Sequence, residues 1–298
     1  MPGPNHTSAV LLLYFAQIIN SGLALGSVYG LMAIGFALIY NSSRLINFAQ
    51  GELLLLGGLG LFSLTQAMEL NPFLALAAAS MWGFLLGHFL YATTLGLAMS
   101  QSPLRQLMLT VAASLVWQGL AILVWGKKPL LLAQLLPMPE VRLGSLYFGR
   151  DTVTAMVLAL ASGAALSFFL RHTRRGRAIR AVSMNPLAAR LQGINPKASH
   201  ALAFALAGVL ACMAGMAVGP QTMLRYDMGL GLGLKGFVAA TIGGYSSLSR
   251  VFLGGLGLGL LEAALVLLVS AELKEALSFS LLIGLMLLMP MTSHEERA

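Results

Sequence analysis

Residues 171–197 read RHTRRGRAIRAVSMNPLAARLQGINPK, and they hold seven of the chain's eighteen Lys and Arg with no Asp or Glu among them. On either side lie the apolar runs 151–170 and 198–218. Each is about the 20 residues needed to cross the hydrocarbon of a bilayer as a helix. Loops on the cytoplasmic face carry an excess of Lys and Arg. The stretch is therefore read as a cytoplasmic loop between two spanning helices, which makes the chain a helical membrane protein.

Composition agrees. The chain is 58% hydrophobic and 9% charged, against about 25% charged for soluble domains. Apolar runs fall at 9–25, 27–41, 45–66, 72–95, 106–125, 151–170, 198–218, 236–247, 251–270 and 276–290. An open sheet leaves backbone groups unsatisfied in lipid, and no alternating ten-residue barrel pattern is visible. The expectation is an all-α, polytopic membrane bundle of about eight spanning helices plus short half or re-entrant helices. It forms one domain over 1–298, with the cytoplasmic loop at about 171–197. Two runs are anomalous. The 9–40 region is long for one helix and short for two, with Asn20, Ser21 and Gly22 as its expected break. The 236–247 run is too short to span, which predicts a half-helix lined by protein.

With 171–197 inside, counting crossings places Arg44, Arg105 and the N-terminus on the cytoplasmic side, and Arg250 and the C-terminus with them provided the short 236–247 run crosses. Lys127, Lys128, Arg142 and Arg150 fall outside. The N-terminus has no basic n-region and is not read as a removable signal peptide. The net charge of +8 follows from these loops and does not indicate nucleic-acid binding. Cys212 stands alone, so no disulfide or cysteine-based metal site is expected. The pairs Gly26/Gly30 and Gly255/Gly259 have the GxxxG spacing that lets membrane helices approach closely.

Enzyme signals are weak. GLGLKG at 231–236 matches a dinucleotide fingerprint only formally, because it lacks the strand and acidic residue that complete one. No GxxxxGK[ST] motif exists to cradle nucleotide phosphates. Intramembrane proteolysis would require His88 to meet a serine such as Ser162, and the five His show no metal-ligand spacing. Glu262, mid-run, would cost about 2.5–3.5 kcal/mol if left exposed to lipid. It must face the bundle interior, as a helix clamp or as a lining of a polar path, and the same choice applies to Glu52.

The second half of the basic loop is punctuated. Asn185 suits an N-cap, Pro186 the first helical position, and Gly193 the left-handed residue that ends a helix. Asn195 and Pro196 repeat the start signal. The short helix between would present Leu187, Ala188 and Leu191 on one face, either to a partner or to anionic lipid headgroups.

Three segments carry a resemblance to a known family. They are GLALGSVYGLMAIGFALIYNSSRLINFAQGELLLLGG (22–58), GRAIRAVSMNPLAARLQGINPKASHALAFALAG (176–208), and the C-terminal region from LKGFVAATIGG through the helix bearing Glu262. The sequence resembles the permease subunits of ABC importers of the branched-chain amino acid (Liv) type, most weakly over about 72–150. The resemblance implies a permease of the inner membrane that performs no covalent chemistry and binds no cofactor itself. It implies a second homologous permease subunit, two cytoplasmic ATP-binding subunits that hold the ATP, and an extracytoplasmic substrate-binding protein. It further implies that Asn185, Pro186, Leu187, Ala188, Leu191 and Gly193 form the coupling helix that docks on the ATPase. Asn47, Gln50, Glu52 and Glu262 become candidates for the substrate path. Gln50 stands where a His is common in the amino-acid members, and GGYSSLSRV (243–251) replaces a more Gly-rich turn. The first departure leaves urea and short amides as the alternative cargo. A self-contained secondary transporter or channel is the remaining alternative.

Overall fold

The first helix settles the first anomaly. In the computed structural model α1 runs unbroken over Pro4–Ser43, so the expected break at 20–22 is corrected. Asn20 is used in tertiary contacts: its carboxamide oxygen accepts from the Gly149 N–H at 3.1 Å and the Thr152 hydroxyl at 2.8 Å. Gly22 serves a close helix crossing, because a Cβ there would lie 2.8 Å from the Leu260 Cα. The structure describes residues 4–268, apart from 69–70, 99–101, 135, 137 and 144–145, together with 276, 279–280 and 283–284. Most of the predicted 276–290 run, and the C-terminus whose side was predicted, lie outside the described residues.

The remaining helices are α2 (Gln50–Met68), α3 (Pro72–Thr93), α4 (Leu95–Ala98), α5 (Pro103–Trp125), α6 (Arg150–His172), α7 (Arg174–Met184), α8 (Pro186–Leu191), α9 (Pro196–Val218), α10 (Met228–Gly243) and α11 (Leu248–Leu268). The described sheet is one small antiparallel pair, β1 (Val141–Leu143) with β2 (Leu146–Phe148). Among the described residues six helices are long and apolar enough to cross a membrane, and α2 and α10 are shorter apolar helices. This is the polytopic helical membrane fold expected. The second correction concerns α10, which starts eight residues before the predicted 236. The glycines of GLGLKG lie inside the helix, where Gly233 and Gly236 allow close approach of α2 and α1 while Gly231 meets nothing.

α1 over residues 26–39 and most of α9 are buried, as befits helices that are hydrophobic all round. α11, α10 and α6 pack on α1; α3, α2 and α6 pack on α9. The two GxxxG pairs meet each other. A Cβ on Gly26 would lie 2.8 Å from the Leu256 Cα, one on Gly255 would strike the Gly30 backbone, and one on Gly259 would strike Gly26. Small residues here do what lipid cannot, letting two backbones touch where apolar side chains gain nothing over lipid tails. Gly254 faces α10 instead, while Gly257 meets nothing.

The basic loop folds into two helices. α7 buries Ile179 and Val182 and leaves Arg174, Arg175, Arg177 and Arg180 exposed. It is an amphipathic helix docked on α6 and α9, where the sequence reading had only a charged run.

Candidate functional site

Between α1 and α2 the chain loses helical form at residues 44–49. Arg44 ends α1 at a positive φ of 59°, and the backbone then turns inward. Asn47, Ala49 and Gln50 have no exposed surface. The Gln50 amide donates to the Ala207 carbonyl at 3.0 Å, and Ala207 is the twelfth of the 23 residues of α9. α2 therefore starts midway along a spanning helix. Irregular backbone at such depth is tolerated only where protein or a polar cavity surrounds it.

The surroundings are polar. The Phe48 N–H donates to the Thr110 hydroxyl at 3.3 Å, and the Ser114 hydroxyl donates to a Glu52 oxygen at 3.1 Å. Both partners come from α5, whose buried residues are Gln106, Thr110, Ser114 and Ala121. Spacings of four put the first three on one stripe, so this helix turns polar side chains inward and apolar ones outward. Sequence reasoning missed that stripe, although Gln106-x₃-Thr110-x₃-Ser114 inside an apolar run was its visible signal. Gly229 and Gly233 of α10 close the other side, for a Cβ on Gly229 would lie 2.5 Å from a Glu52 oxygen. Three buried atoms here make no hydrogen bond: Asn47 Nδ2, Gln50 Oε1 and Glu52 Oε2. Buried polar atoms without partners are uncommon, and these three lie within six residues on one short segment.

Glu262 belongs to a different cluster. It has no exposed surface; the Lys235 ammonium lies 3.0 Å from one carboxylate oxygen and 3.3 Å from the other, which also accepts from the Tyr29 hydroxyl at 2.7 Å. Lys235 also stands 5.7 Å from the centre of the Tyr29 ring. It follows Gly233 by two residues, about 200° round the helix, so it points away from the face of α10 that meets α2. The structure brings Asn47, Gln50 and Glu52 together, and seats Glu262 apart from them as a three-helix clamp of α1, α10 and α11. Lys235 was not among the candidates, though an intramembrane Lys paired with an intramembrane Glu is the expected arrangement of such groups.

At the basic end, the Asn185 side chain caps α8, accepting from the Ala188 N–H at 2.9 Å. Gly193 has φ 77°, and Asn195 caps α9 by accepting from the Lys197 N–H at 3.0 Å. Ala189 is buried, while Leu187 is 68% and Leu191 82% exposed, and Met184, at the end of α7, is 85% exposed. Asn185, Pro186, Ala188 and Gly193 are also exposed. Met184 is a further exposed apolar residue just before α8, one the sequence reading left out. Elsewhere, His88 is exposed on α3, and no hydrogen bond joins it to Ser162 among the described residues.

A helical bundle with long apolar helices, a buried polar break and a capped, exposed helix at one end has the architecture of an integral membrane protein. The family model described as "Branched-chain amino acid transport system / permease component" matches residues 18–288, and the chain belongs to that family. It is 32% identical over 295 residues to the high-affinity branched-chain amino acid transport system permease protein LivH of Salmonella typhimurium, covering 93% of this chain and 94% of LivH. To the corresponding protein BraD of Pseudomonas aeruginosa it is 30% identical over 300 residues, covering 93% and 94%. Among solved structures, PsaBC from Streptococcus pneumoniae in complex with Fab aligns at TM-score 0.53 and 15% identity over 94% of each chain, a likeness of fold alone. The chain is thus an integral membrane permease component of an ABC import system.

Proposed function

We propose that this chain is a single-domain permease of the bacterial inner membrane, carrying branched-chain or closely related amino acids inward, with its termini and the 171–197 loop in the cytoplasm. It pairs with a second homologous permease subunit, and the polar break at Asn47, Gln50 and Glu52 contributes one wall of the path. Two cytoplasmic ATP-binding subunits bind and hydrolyse the ATP, and an extracytoplasmic binding protein delivers the substrate.

The observation that carries the reading is the outward face of α8. A six-residue helix is unstable alone, yet this one is capped at both ends and holds two leucines largely exposed. Burying one leucine is worth about 1.5–3 kcal/mol, so the face makes sense with a partner surface over it. ATP binding on that partner would move α8 and, through α9, the segment that Gln50 holds to Ala207. The test is Leu187→Asp and Leu191→Asp in the assembled importer, reconstituted in vesicles. ATP hydrolysis without matching uptake, in protein that inserts normally, is expected. Normal uptake by a normally assembled complex would sink the docking role.

A further inference from the structure

We propose that the pocket between α8 and the adjoining ends of α1 and α9 binds the phosphate headgroup of an anionic lipid. It is a cavity of about 410 Å³ whose lining includes Ser42, Arg44, Pro186, Arg190, Lys197 and His200. At about 30 Å³ per water it has room for about thirteen waters, or for one headgroup. Three cations line it and no acid does. Arg190 and Lys197 enter no ion pair among the described residues, and Arg44 makes a long contact to the Ser183 carbonyl at 3.5 Å and stands 5.8 Å from the centre of the Tyr40 ring.

His200 is only 5% exposed and forms part of the cavity wall, with its ring against the Ser42 backbone. Both ring nitrogens are sealed from the cavity, so the charge that selects a phosphate comes from Arg44, Arg190 and Lys197.

Depth identifies the source of the phosphate. Ser42 and Ser43 end one spanning helix, α1, and Lys197 and His200 lie in the first turn and a half of another, α9. The pocket therefore lies at the boundary of hydrocarbon and water, where headgroup phosphates are. It lies on the basic end of the bundle, which the positive-inside bias assigns to the cytoplasmic leaflet. A zwitterionic headgroup would bring its own cation against Arg44, Arg190 and Lys197, so a net-negative headgroup is favoured. The inference rests on the membrane-embedded fold and not on the docking role of Leu187 and Leu191.

The experiment is native mass spectrometry of the full-length chain released from nanodiscs of phosphatidylglycerol or of phosphatidylcholine. Wild type is expected to retain phosphatidylglycerol preferentially. A cation near a membrane surface contributes about fivefold to anionic-lipid affinity, so Arg190→Gln/Lys197→Gln should lower retention about 25-fold, and Arg44→Gln about fivefold. The control Arg174→Gln/Arg177→Gln removes the same charge from the exposed face of α7 and should leave retention within about twofold. Equal loss in the control, no preference for phosphatidylglycerol in the wild type, or binding of free inorganic phosphate in place of lipid would each overturn the proposal.

Discussion

Lys235→Met isolates the intramembrane clamp. The substitution keeps most of the side chain's volume and removes the ammonium held 3.0 and 3.3 Å from the two Glu262 oxygens. Breaking a buried ion pair from one side costs about 3–5 kcal/mol, because the charge left behind is uncompensated. At about 2–4 °C per kcal/mol the melting temperature in detergent should fall by roughly 6–20 °C. Glu262→Gln alone should cost a comparable amount, since it strands Lys235 beside the Tyr29 ring. The double variant Lys235→Met/Glu262→Gln leaves no charge, and its Gln can still accept from the Tyr29 hydroxyl. It should recover more than half of the loss, giving a coupling of at least about 2 kcal/mol, well above the error of additivity. Vesicle uptake separates the two roles open to Glu262. A clamp predicts transport restored with stability; a path-lining carboxylate predicts a stable double variant that does not transport. Single variants melting within a degree or two of wild type would refute the ion-pair reasoning.

Gly26→Ala places a Cβ 2.8 Å from the Leu256 Cα, against backbone that must move, and should destabilise by about 1–3 kcal/mol, read as a lower melting temperature. Asn185→Ala removes the acceptor of the Ala188 N–H, about 1 kcal/mol of helix capping; uptake per ATP hydrolysed should fall while the amount of inserted protein stays constant. Glu52→Gln keeps the size and the bond from Ser114 and should lower uptake at least about tenfold with little change in melting temperature, whereas unchanged uptake would remove Glu52 from the path.

The caps, the loop and the small-residue crossings were legible because each is encoded by a few adjacent residues. Asn185-Pro186, Gly193 and Asn195-Pro196 set backbone geometry locally, and the structure has all of them as read. Gly26/Gly30 and Gly255/Gly259 announce a crossing by spacing, although nothing in either pair names the other as its mate. What was missed depends on partners far apart in sequence. Whether Asn20 breaks a helix or binds Thr152 is decided by a residue 132 positions away. The start of α10 was misplaced because Gly229, Gly231 and Gly233 read as loop in local terms. Lys235 was obscured in the same way, its partner Glu262 lying on the next helix.

The misread helix is the one that links the parts of the molecule. One face of α10 carries Gly229 and Gly233 against the start of α2, with the Glu52 carboxylate at Gly229. The opposite face carries Lys235 in its pair with Glu262. Beyond its C-terminus, the Tyr245 carbonyl accepts from Asn41 of α1 at 2.8 Å, close to the basic end. A slide of one residue along its axis is about 1.5 Å. It would press backbone at Gly229 against Gly51, where a Cβ already has no room, and would distort the Lys235–Glu262 contact. Packing of this kind resists small displacements and yields in discrete steps. Widening of the polar break at 44–52 on its α10 side requires α10 to move, and the Lys235–Glu262 pair resists that movement.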